Sequence, residues 1–250
     1  MQTSLEAIIK WLRQSGLKVN EAKTEMCLFH RNDTRTITLQ INNSRVTSTP
    51  QINVLGVIFD SKMQWNEQVS KTIKKANKAL LAIKLIKKHF TYPEIKTLLT
   101  SNFYSILYYN SEIWHTPTLK PYLKNLLLST SARALQICTP NYTPMMSFKD
   151  LHSINLRATP AQFMFYKHSI LLHSIYNDKM PMNDWLDLNF NQNFNQRETN
   201  FRAFNKSKYK VGKNKISERL TCLNGKIPLE WLNLNKITFK LQCKQKFLPH

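Results

Sequence analysis

The stretch Val54-Leu55-Gly56-Val57-Ile58-Phe59-Asp60-Ser61-Lys62-Met63-Gln64-Trp65 decides how this 250-residue chain is read. An apolar run stops at an aspartate and hands over to a lysine-rich segment. Alternation along Ile52–Phe59 puts Ile52, Val54 and Ile58 on one face and Leu55, Val57 and Phe59 on the other. The expectation is one strand buried on both sides. Gly56 in its middle weakens a strand and predicts a bulge or the close approach of another backbone. Beyond Trp65 the period changes. Val69, Ile73, Ala76, Leu80 and Ile83 form a helical apolar stripe, with Lys71, Lys74, Lys75 and Lys78 on the other side. Lys84, Lys87 and Lys88 continue the charge.

Towards the N-terminus, Thr3-Ser4-Leu5-Glu6 has capping-box spacing, and Leu5, Ile8, Ile9 and Leu12 follow at helical intervals. Gly16 supplies the left-handed residue that closes such a helix. Thr24–Phe29 and Thr36–Ile41 read as two further strands. Towards the C-terminus three helices are expected. The first starts at Pro93 and carries Ile95, Leu98, Leu99, Phe103, Ile106 and Leu107. The second spans about 119–138 and the third about 159–176. Asn- and Gln-rich residues 187–197 read as a linker. Arg197–Arg219 then gathers eight basic residues, with Phe201, Phe204 and Tyr209 between them. Lysines interleaved with aromatics suit a nucleic-acid backbone and its bases; a solvated loop is the alternative. Ile227–Leu232 and Phe239-Lys240-Leu241 read as a short terminal helical segment.

Composition narrows the function. Thirty-six Lys and Arg stand against 15 Asp and Glu, a net charge of +21. Residues 1–150 hold 20 basic and 9 acidic side chains and residues 151–250 hold 16 and 6, so the excess is spread along the chain. That balance favours a polyanionic partner, nucleic acid above all. Cys27, Cys138, Cys222 and Cys243 lack the spacing of a disulfide framework or a zinc site, and Cys27 and His30 would point to opposite faces of a strand. Gly16, Gly56, Gly212 and Gly225 are too few and too scattered for a Walker loop or dinucleotide fingerprint, and no G-x-S-x-G elbow exists. No apolar run reaches membrane-spanning length, and residues 1–15 contain Glu6 and no signal-peptide h-region. The chain reads as intracellular, in nucleus or cytoplasm, with no membrane partner.

Three segments, in order, resemble the C-terminal part of reverse transcriptases of non-LTR (LINE-type) retrotransposons. Gly16-Leu17-Lys18-Val19-Asn20 and Lys23-Thr24-Glu25 are similar to the G-L-x-x-N and K-T pattern after the catalytic palm strand. Leu55-Gly56, Asp60 and Trp65 fall on recurrent positions of the primer-grip segment and thumb helix. Asn224, Ile227-Pro228 and Phe239-Lys240 match the block that closes such reading frames. The resemblance implies an α+β chain. A palm remnant of one helix and antiparallel strands (1–63) is followed by a helical thumb and connection (64–186) and a basic C-terminal region (187–250). It implies an RNA or DNA template–primer as partner, with Leu55 and Gly56 at the primer's 3′ end. Lys71, Lys74, Lys75 and Lys78 would track the duplex, and Lys206, Lys208, Lys210, Lys213 and Lys215 would add contacts. Lys23 matches a lysine near the incoming nucleotide's phosphates.

The family's polymerase chemistry needs clustered aspartates, including a Tyr-x-Asp-Asp turn, to hold two divalent metals. This sequence has no Asp-Asp pair, and Asp184 and Asp187, its closest acids, read as one surface face of a helix. No catalytic residue, metal ligand or cofactor is therefore expected here; magnesium would belong to the complete polymerase. The chain is expected to be a 5′-truncated copy or separated C-terminal piece, inactive alone. The alternatives are a polymerase completed in trans by a missing N-terminal part, an uncharacterised nuclease, a helical interaction module, or a non-functional product with exposed strand edges.

Overall fold

The computed structural model describes residues 1–29, 35–116, 118–139, 142–155, 157–177, 186–187, 202–203 and 227–248. The chain is mixed α+β and mostly helical, and it divides into two compact units, Met1–Glu67 and Gln68–His250.

In the first unit, α1 (Gln2–Gln14) starts earlier than the capping box predicts. Leu5 donates its N–H to the Met1 carbonyl at 3.1 Å, so Thr3 is already inside the helix and Glu6 accepts from Gln2 Nε2 instead. Only Ile9 of the apolar stripe is buried, and Ile8 is exposed. The C-terminus closes as expected. Gly16 takes φ +73° and donates to Arg13 while Leu17 donates to Leu12, the paired bonds of a Schellman motif. The helix packs on β1 (Thr38–Ile41), whose edge it completes through one side chain: Gln2 accepts from Gln40 N–H and donates to Gln40 carbonyl, both at 3.0 Å. β1 pairs antiparallel with β2 (Ser44–Thr47), a strand the sequence reading passed over, across a turn with Asn42 at φ 51°. Thr24–Phe29, expected as a strand, contributes a single bridge from Cys27 to Thr49.

The run 52–59 is a hairpin and not one strand. β3 (Gln51–Val54) pairs antiparallel with β4 (Val57–Asp60), with Val54 opposite Val57 and Ile52 opposite Phe59. Leu55 and Gly56 form the two-residue turn, at φ 48° and 84°, the positive pair a type I′ hairpin turn requires. Reversal at that turn brings Ile52, Val54, Val57 and Phe59 to one face, where the single-strand reading had split them. Nor is the run buried on both sides: Val57 is buried, Val54 is 45% exposed and Leu55 84% exposed. Gly56 is thus a turn residue, not a bulge. Phe59 meets the edges of Trp65 at 5.3 Å and Phe29 at 6.4 Å.

Asp60 ends β4 as expected. Its carboxylate accepts backbone N–H groups of Lys62 (3.2 Å), Gln64 (2.9 Å) and Trp65 (2.7 Å). Met63 and Trp65 are held at φ 51° and 65° within this turn, and Trp65 is buried. The unit's free carboxylate chemistry is equally local: Ser44 and Asn42 donate to Glu21, hold its carboxyl below the ordinary range, and tie the Glu21–Lys23 turn to the first hairpin.

The second unit begins within the first turn of α2 (Asn66–Ile86), which buries Val69, Ile73, Ala76 and Ile83 of the predicted apolar stripe and leaves Leu80 half-buried. α3 (Tyr92–Leu98) begins on a full capping box, Thr91 with Glu94, and those bonds lower the Glu94 pKa. It runs into a π-helix, Leu99–Tyr104, and a last turn α4 (Ser105–Leu107). Short α5 (Ser111–Trp114), α6 (Pro121–Cys138), α7 (Phe148–Ile154, capped by Ser147 and Asp150) and α8 (Pro160–Asn177) follow. α6 packs on α3, α7 and α8. Across chain outside the described residues, α9 (Leu229–Leu232) and α10 (Lys236–Phe247) dock on α8. Leu172 and Ile175 meet Ile227, Leu232, Phe239 and Cys243 in a closed apolar cluster. Its polar rim is satisfied, with His173 Nε2 2.8 Å from the Leu234 carbonyl and Asn177 donating to the Leu232 carbonyl at 3.0 Å. β5 (Leu186–Asp187) and β6 (Arg202–Ala203) form a minimal antiparallel pair within the expected linker and basic block.

Cys27 is half-buried, Cys138 and Cys243 are buried, and all three are free thiols. Burial pushes Cys138 up to about 11 and Cys243 to about 12, which keeps both as packing groups rather than nucleophiles.

Candidate nucleic-acid interface

The basic face of α2 follows from its spacing. Lys71, Lys74, Lys75 and Lys78 recur at i, i+3, i+4 and i+7, diametrically opposite the stripe that fixes the helix to its unit. Lys74, Lys75 and Lys78 are exposed and Lys71 is half-buried. Between Gln68 and Pro93 the sequence holds seven lysines and no acid. No carboxylate among the described residues lies within salt-bridge distance of these four ammonium groups; the one acid of the helix, Glu67, stands four residues before Lys71 on the same face. Along the axis Lys71 to Lys78 spans about 10 Å at 1.5 Å per residue, the reach of a few consecutive phosphates on one strand.

A second basic feature lies beside it in the same unit. Lys84 of α2 and Lys87 of the 3₁₀ turn after it line an open groove of about 530 Å³ together with Arg133 and Gln136 of α6. Arg133 had no sequence signal. It stands alone in an otherwise apolar and hydroxyl-rich segment, and only the approach of α6 to α2 joins it to the lysines.

Leu55 and Gly56 sit together at a protruding hairpin tip in the first unit, both exposed. An exposed leucine in the left-handed region is unfavourable twice over, costing roughly 1 kcal/mol in backbone strain and leaving its side chain in water. Lys23 is exposed at the end of a 3₁₀ turn whose first amide bond is to the Asn20 side chain, 3.2 Å away, and not on a strand. Lys206, Lys208, Lys210, Lys213 and Lys215 lie outside the described residues.

Among the described residues no group of three or more His, Cys, Asp or Glu converges on a point that a metal ion would occupy. Asp60, which ends the most conspicuous apolar run, is engaged by three backbone amides and is a structural anchor. No helix among the described residues is long and apolar enough to cross a membrane.

Fold and site together define a mixed α+β chain presenting a predominantly cationic helix face. No protein-family model, curated protein or solved structure matches the chain.

Proposed function

We propose that this chain binds template–primer nucleic acid as a C-terminal piece of a non-LTR retrotransposon reverse transcriptase, without polymerase activity of its own. The observation that carries the reading is the lysine face of α2, four lysines against one acid, Glu67 in the first turn, turned away from the stripe the helix buries. Contacts from such a face are to phosphates and are blind to sequence. The hairpin tip supports the same reading, because Gly56 lacks the Cβ that would hold a sugar–phosphate away and Leu55 offers an apolar contact beside it. In this reading the first unit is the palm's end and α2 the thumb helix, and the parent polymerase supplies the metal-binding aspartates.

The test is the salt dependence of duplex affinity, measured with the full chain on an RNA–DNA template–primer. Three exposed lysines and one half-buried lysine predict that replacing Lys71, Lys74, Lys75 and Lys78 with alanine lowers the slope of log affinity against log salt by about three. A slope unchanged in that variant, with its helix content retained, removes the thumb assignment.

A further inference from the structure

A cavity of about 540 Å³ opens in the second unit, on elements remote in sequence from the α2 lysines. Its floor is a column of stacked groups. The Arg157 guanidinium lies 4.1 Å over the Tyr104 ring, Tyr104 stacks on Tyr108 at 5.7 Å, and Tyr108 stacks on Phe163 at 4.3 Å. Tyr104, the last residue of the π-helix, and Tyr108, just beyond α4, share a side because they stand four residues apart, with the Tyr108 N–H bonded to the Tyr104 carbonyl at 3.0 Å. Both tyrosine rings are almost fully buried, and burial pushes the Tyr104 phenol up to about 12 and the Tyr108 phenol higher still, so both remain neutral walls.

Charge at the mouth is one-sided. Arg157 is half-buried, Lys244 projects exposed from the last turns of α10, and Lys167 joins them from α8. Among the described residues one carboxylate answers: Glu112 pairs with Lys167 at 2.9 Å. Contact with the Tyr104 ring holds the Arg157 guanidinium in the cavity lining, and a guanidinium's N–H fork suits phosphate oxygens. Tyr109, half exposed, stands at the rim as a further ring.

We infer that this cavity is a binding site for a nucleoside phosphate, free or as one residue of a strand. A phosphate takes the Arg157 and Lys244 side, and sugar and base occupy the aromatic remainder, which a bare phosphate would leave filled with water. The volume lies within the range of small-molecule sites, and aromatic walls with few convergent polar groups are their usual chemistry. This assignment goes beyond duplex binding by α2 and stands on different residues, so either can fail without the other.

Calorimetric titration of the full chain with AMP, adenosine and ribose 5-phosphate tests it. AMP is expected to bind saturably at one site and at least about tenfold more tightly than either fragment, each of which forfeits one half of the contacts. Lys244→Glu should weaken AMP about tenfold or more, while Lys149→Glu, an equal change of charge on α7, should not. Arg157→Lys keeps the charge but gives up the guanidinium fork, and should also weaken AMP while the protein stays folded. A tetranucleotide d(AAAA) distinguishes the sources: affinity well above that of AMP, still sensitive to Lys244→Glu, identifies a strand residue, and affinity at or below it a free nucleotide. Ribose 5-phosphate binding as tightly as AMP reduces the cavity to an anion site and overturns the assignment. So does the absence of saturable AMP binding, or indifference to Lys244→Glu.

Discussion

Replacing Asp60 with alanine tests whether one carboxylate builds the turn from the second hairpin into α2. Wild-type Asp60 accepts from Lys62, Gln64 and Trp65, and the turn it holds keeps Met63 and Trp65 left-handed. The Lys62 bond is the longest and the most exposed, so it contributes least. The Gln64 and Trp65 amides are partly buried, and losing a charged acceptor there should cost about 1 kcal/mol each. Left-handed backbone at two non-glycine residues is itself unfavourable by roughly 1 kcal/mol apiece, so the turn has little to hold it once the carboxylate is gone. The expected loss is about 2–3 kcal/mol for Asp60→Ala and about half that for Asp60→Asn, which keeps one acceptor oxygen. In a unit of this size each kcal/mol corresponds to roughly 4–8 °C of melting temperature. Amide hydrogen exchange should localise the effect, with Gln64 and Trp65 losing protection in Asp60→Ala. An unchanged melt with those two amides still protected would refute the reasoning.

Two further outcomes are expected. Leu55→Asn suits the first position of the I′ turn, so it should stabilise the hairpin by roughly 0.5–1 kcal/mol while weakening template–primer binding; a variant both less stable and equally tight in binding contradicts the strained-tip argument. His152 is buried with Nδ1 3.2 Å from the Arg157 carbonyl and Nε2 without a hydrogen-bond partner among the described residues, and burial first of all holds its pKa below the ordinary value. Because the folded pKa is the lower one, the unfolded chain takes up the proton first as pH drops. Stability is then full above about pH 6.5 and declines below it, levelling at the folded pKa. Urea unfolding between pH 7.5 and 5 should show that decline, and His152→Gln should flatten it; an equally steep decline in the variant places its origin elsewhere.

Helices were legible in the sequence where long apolar stripes fixed them. The stripe from Val69 to Ile83 is buried as read except at Leu80, which is half-buried, and the basic face follows from it by geometry alone. The hairpin was not legible, for a specific reason. Leucine is a poor turn former, so Leu55-Gly56 between two valines looked like the continuation of a strand, and only one of its two positive φ angles was announced by a glycine. β2 was missed because Ser44-Arg45-Val46-Thr47 carries one apolar residue and is held by pairing, not by burial. The aromatic cavity was invisible for another reason. Tyr104, Arg157, Phe163 and Lys244 come from four segments, and nothing in their local spacing foretells that tertiary packing brings them together.

Because the Leu99–Tyr104 turn is wound with one residue more than an α-helix needs, the column of rings depends on chain length as much as on which residues compose it. Deleting Ser101, an exposed position whose hydroxyl serves only its own helix, would let the segment close to ordinary α-helix with Tyr104 still in phase, because the π-turn holds the spare residue. Deleting exposed Thr97 of α3 as well draws on no spare residue, and every residue beyond it would then swing by about 100° about the axis relative to Ile95. Tyr104 would leave Arg157, while the composition of the cavity's walls stayed untouched. A protein altered in this way keeps each side chain that lines the site and yet has lost the site, the reverse of what a point substitution does.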